Sequence, residues 1–181
     1  MDGLSRPRYC ETPFPPYRYV PGRGPHPTAH PDGHSFRPAG AAEHAAVIVA
    51  PQRWRQSPDY LYGCDLYNHG YWWEAHEAWE ALWQLTDKSD VQGRFLQALI
   101  QTAACHLKLF EGKREGVRSL RASSEGHARF VLERLPSLRF MGLNFGAWWS
   151  GVTDYYGRVR RGEGASAAHD PEHYPYIDLS G

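Results

Sequence analysis

Between Trp72 and Trp83 lie four side chains able to do chemistry: Glu74, His76, Glu77 and Glu80, with no Lys or Arg among them. On a helix His76 and Glu80 stand one turn apart and share a face. That face also carries Trp72, Trp79 and Trp83, so the pair is expected to be at least partly buried. An imidazole and a carboxylate are buried at a cost unless each finds hydrogen-bond partners. The expectation is that His76 meets Glu80 or a polar residue of the next helix. His76-Glu77-x-x-Glu80 is one residue away from the His-Glu-x-x-His helix of zinc hydrolases, in which two histidines bind metal and the glutamate activates water. In that reading His76 and Glu80 are metal ligands and Glu77 the base. A catalytic zinc takes about three protein ligands, and the third would come from His69, His106 or one of His26, His30 and His34. Metal-free acid–base catalysis by the same residues is the related alternative. The structural alternative is a buried network that fixes the register of two helices.

A matching polar seam follows in the next apolar segment. Gln97 and Gln101 are four residues apart, and Arg94 precedes them on nearly the same face. If the two helices pack against each other, Arg94 pairs with Glu77 or Glu80, and the amides satisfy what remains. With Trp73 and Trp83 at the edges, these five residues form a candidate binding surface. His106 is nine residues past Gln97, half a turn out of phase on a ~3.6-residue helix, and points elsewhere.

The elements that would position these groups are helices. Ser57 as N-cap with Pro58 at the first position predicts a helix over residues 58–68, closed by Gly70. Apolar residues at three- and four-residue spacing predict a second over 71–85. The Ser89-x-x-Gln92 capping box opens a third, reaching residue 111. A fourth spans 113–135 and a fifth 144–160. No stretch alternates long enough to argue for a sheet. The fold class is therefore all-α, a bundle of about five antiparallel helices, with residues 41–161 as the bundle domain.

Residues 1–40 hold nine of the fourteen prolines, which excludes a long helix there. They also carry Tyr9, Phe14, Tyr17, Tyr19, Val20 and Phe36, which a disordered linker would lack. This reads as an extended Pro-rich N-terminal arm that packs its aromatics against the bundle, over the groove beside the second and third helices. Residues 162–181 read as a short tail, a Gly/Ser/Ala spacer followed by an aromatic stretch.

Composition narrows the function classes. Twenty Lys+Arg balance twenty Asp+Glu in 181 residues, so the basic surplus of a phosphate-backbone binder is missing and no nucleic-acid partner is expected. No apolar run approaches the ~20 residues that cross a bilayer, so no membrane partner is expected either. Three scattered cysteines make no disulfide framework, and a cytoplasmic location is expected.

The residues resemble those of a known family. Asn68, Gly70 and Tyr71, then Trp73-Glu74-Ala75-His76-Glu77-x-x-Glu80-x-x-Trp83, are similar to the signature of domain-of-unknown-function family 309. Phe95-Leu96-Gln97-Ala98-Leu99-Ile100-Gln101-x-Ala103 and Gly112-x-x-x-Gly116 resemble its second block. Ala98 departs from the family's more usual glycine. The resemblance covers about residues 58–135 and implies a small all-α fold with a polar cluster, and no established activity. The function expected is a binding or interaction module for a protein or small-molecule partner, a second copy of the chain included. The alternative is a hydrolase-like enzyme using His76, Glu77 and Glu80, with a divalent metal as its cofactor; no other cofactor is called for.

Overall fold

The computed structural model describes residues 6–41, 45–161 and 174–180, apart from the Arg114 side chain. After a short 3-10 turn at Pro51–Gln56 come α1 (Pro58–Asn68), α2 (Trp72–Trp83), α3 (Val91–Phe110) and α4 (Arg114–Leu132). A two-residue hairpin, β1 (Arg139–Phe140) and β2 (Leu143–Asn144), precedes α5 (Phe145–Arg160). The all-α expectation holds. The hairpin escapes a period-2 search because each strand has only two residues, paired antiparallel with Phe140 opposite Leu143.

Local chemistry sets the helix ends. Ser57 caps α1, its hydroxyl accepting from Tyr60 N, with Pro58 following. The cap of α3 is Asp90, which accepts from Gly93 N at 2.6 Å. Ser89 was the expected cap, but its hydroxyl is spent on Asp87 Oδ1 at 2.6 Å, and a carboxylate one residue later takes the role.

The core runs through all five helices. Tyr60, Tyr67, Trp79, Phe95, Leu96, Leu99 and Phe145 are fully enclosed. Trp79 lies flat against α1 because residue 63 is glycine: a Cβ there would sit 2.2 Å from the indole nitrogen. Cys64 and Cys105 are small core residues, and burial pushes both thiols up, Cys105 to about 12.

Inside the core His106 is held by two tyrosines. Tyr67 Oη donates to the Pro175 carbonyl at 2.9 Å, so toward His106 Nε2, also at 2.9 Å, it accepts. That places the ring proton on Nε2 and leaves Nδ1 to accept from Tyr156 Oη at 3.2 Å. Complete burial pulls this imidazole down to about 3, so it is neutral at any physiological pH.

Arm and tail both dock on α1 and the start of α2. Asp65, wholly buried, receives Arg8 Nε at 3.1 Å, Tyr9 N at 2.8 Å and Cys10 N at 3.1 Å. Asn68 holds the tail through both amide atoms, donating to Ile177 O and accepting from Ile177 N, each at 2.7 Å. Arm and tail also join directly, since Tyr9 Oη donates to Ile177 O and accepts from Leu179 N. Glu74, at the start of α2, accepts from Tyr19 N at 2.8 Å and contacts His34 Nε2 at 3.0 Å. The spacer expected before the tail, residues 162–173, lies outside the described residues.

Candidate functional site

The predicted cluster forms, but at the surface. His76 Nδ1 lies 3.1 Å from Glu77 Oε1 and 3.8 Å from Glu80 Oε2. The His76 side chain is 30 % exposed and those of Glu77 and Glu80 more so, so His76 and Glu80 are partly buried and Glu77 is exposed. The reason is angular. The inward face of α2 is Trp72, Ala75, Trp79 and Leu82, and His76 stands one step round from Ala75, on the boundary. One potential ligand atom from each of the three residues falls within 4.8 Å of the others.

The seam from α3 does not join this cluster. Arg94 sends Nη1 toward His127 Nδ1 at 3.3 Å and lies over the Phe130 ring, so its expected pairing with Glu77 or Glu80 is overturned. α4 packs on α3 and supplies a nearer acceptor than α2 does. Gln97 and Gln101 stay half-buried on α3, and the Gln101 carbonyl oxygen has no partner among the described residues. Trp73 instead receives the arm, with Tyr19 and His26 rings edge-on at 5.3 and 5.5 Å. Trp83 receives the Lys88 ammonium at 4.2 Å from its ring centre. Among the described residues no other histidine joins the group: His106 is enclosed by tyrosines and His34 is committed to Glu74.

The larger feature lies at the other end of α2. A cavity of about 920 Å³ opens where the arm crosses the α1–α2 turn and the last turns of α3. Its apolar walls come from Phe14, Val20, Trp72, Leu107, Phe110 and Tyr174, and its polar ones from Arg6, Arg8, Arg18, Arg23, Asn68 and His69. Gly70, at φ +79°, makes the turn and clears the Arg18 guanidinium, which a Cβ there would approach to 3.2 Å. His69 Nε2 and Trp72 Nε1 are both enclosed without a hydrogen-bond partner among the described residues. The His69 imidazole is pulled down, first by burial and then by the positive charge of Arg8; Asp65 partly offsets this, and Arg6 and Arg18 add to it.

No spacing rule finds this cavity, because the arm's arginines have no periodic relation to the helices. A composition signal was nevertheless present: Arg6, Arg8, Arg18 and Arg23 interleave with aromatics in a segment that has every reason to dock. Asp65 and Asn68, three residues apart among Cys64, Leu66 and Tyr67, were the matching signal on the bundle.

Fold and cavity together define a small all-α bundle with a pocket roofed by its own N-terminal arm. Residues 60–120 match the family model described as Domain of unknown function (DUF309), bearing out the resemblance read from the sequence over α1, α2, α3 and the start of α4. The arm, hairpin, α5 and tail lie outside the matched residues. No curated protein and no solved structure matches the chain.

Proposed function

We propose that the protein is a binding module that encloses a small molecule between its arm and the α1–α2 turn. The supporting observation is the cavity itself, about 920 Å³ with aromatic walls and arginine side chains in its lining, a size and character suited to an organic ligand. Nile red, an uncharged apolar dye, is expected to bind the full chain and fluoresce. Leu107→Trp fills the cavity from α3 and is expected to weaken the dye at least tenfold; Val20→Phe fills it from the arm. Unchanged dye affinity in both variants, with melting curves like the parent's, rejects the cavity as the site.

A second reading is favoured by the grouping of His76, Glu77 and Glu80 within 4.8 Å: a divalent-metal or acid–base hydrolase centre. In it Nδ1 of His76 and a Glu80 oxygen hold the ion and Glu77 takes a proton from water. Elemental analysis of purified protein is expected to find stoichiometric zinc, manganese or iron that disappears in His76→Ala. Metal-free protein without turnover on an ester and phosphoester panel removes this reading.

A further inference from the structure

We propose that the cavity beneath the arm takes an organic phosphate, a phosphate group carried on an apolar or planar body, an assignment that rests on reading the cavity as the ligand site. Charge is the first argument. The chain as a whole is neutral, yet four of its arginines line one cavity whose described lining contains no carboxylate. Arg8 is matched by Asp65 at 3.1 Å. Among the described residues Arg6, Arg18 and Arg23 have no ion-pair partner, so three positive charges stand uncompensated.

The way those three arginines are held is the second argument. Arg6 lies over the Tyr174 ring at 4.8 Å, Arg18 over Tyr71 at 5.3 Å and Arg23 over Phe110 at 5.1 Å. Stacking on a ring uses the face of a guanidinium and fixes its plane, while the N–H edge stays available for a bidentate acceptor. Arg6 donates to Asn68 O through Nη1 and also bonds the Tyr174 side chain; among the described residues no hydrogen bond engages the guanidinium of Arg18 or Arg23. His69 and Trp72 also line the cavity, and their Nε2 and Nε1 have no hydrogen-bond partner among the described residues. Burial first, and then the charges of Arg8, Arg6 and Arg18, hold the His69 imidazole below its ordinary value.

Stoichiometry separates phosphate from carboxylate. A monocarboxylate would neutralise one of three free guanidiniums, whereas a phosphate monoester brings a charge of about −1.5 to −2 and three acceptor oxygens. Size separates an organic phosphate from the inorganic ion. The space is about 920 Å³, far more than one phosphate fills, and Val20, Leu107 and Phe110 offer apolar wall for a carbon body.

Phenyl phosphate is the probe, titrated calorimetrically into the full chain beside inorganic phosphate, benzoate and Nile red. It is expected to bind at least tenfold more tightly than either inorganic phosphate or benzoate. Arg18→Gln and Arg23→Gln are each expected to weaken it tenfold or more while leaving Nile red within twofold. The His69 ring signals are expected to move on addition of phenyl phosphate, and the midpoint of their titration to rise. Binding of phenyl phosphate no weaker in both arginine variants overturns the assignment. So does a failure to bind while Nile red still binds and is still lost in Leu107→Trp, which leaves the cavity standing as a site for an uncharged ligand. If neither probe binds, both the phosphate assignment and the cavity reading fall.

Discussion

His106 is the clearest case in which one residue's surroundings set a measurable property. Its imidazole ordinarily titrates near 6.5 and in the fold near 3, so the folded chain binds fewer protons than the unfolded chain between those values. Stability from this group is complete above about pH 6.5 and declines as pH falls toward 3, by up to about 1.4 kcal/mol per pH unit. From pH 7 to pH 5 the integrated loss is about 2 kcal/mol. Urea unfolding at the two pH values should show that loss in the parent, and His106→Gln, starting from a lower stability, should lack it. An equal loss in both would mean the histidine is not buried neutral. At this scale the sequence was legible in part. The phase of His106 against Gln97 is simple helical arithmetic, and the grouping of His76 with Glu77 and Glu80 follows from one turn of helix. The partner of Arg94 was not legible, because choosing between α2 and α4 requires knowing how α3 is sandwiched.

Helix existence was readable because each helix repeats its apolar residues at three and four, and the observed bounds fall within three residues of those expected. The arm follows a different rule. Its aromatics say that it docks, while the landing place depends on Asp65 and Glu74, buried carboxylates whose partners on the arm lie forty or more residues away. Landing at the N-terminal end of α2, it roofs a cavity there. Deleting residues 1–40 removes Tyr19 and Val20 from their buried positions and strips Asp65 of its donors. Large buried side chains contribute about 1.5–3 kcal/mol each, so the melting temperature should fall by about 10 °C. Binding of an anionic naphthalene dye to the newly bared groove should increase. An unchanged melting temperature and unchanged dye signal would make the arm a free tail.

In the molecule as a whole, the two flanking segments meet on one helix. Tyr9 bonds to Ile177 and Leu179 across 168 and 170 residues of sequence, while Asp65 and Asn68 of α1 hold one segment each. Such pairings are invisible to any local reading, since neither segment has a period and each finds its place only against the finished bundle. Contacts among the helices are close in sequence and those of arm and tail are distant, which orders their formation, local before distant. Tyr174, one wall of the cavity, belongs to the part of the chain that follows the bundle. During synthesis the helices can assemble while the arm, already outside the ribosome, still lacks half of its seat. The cavity thus gains its last wall only once Tyr174 has emerged, and a chain interrupted before that point would carry the helices with one side of the pocket open.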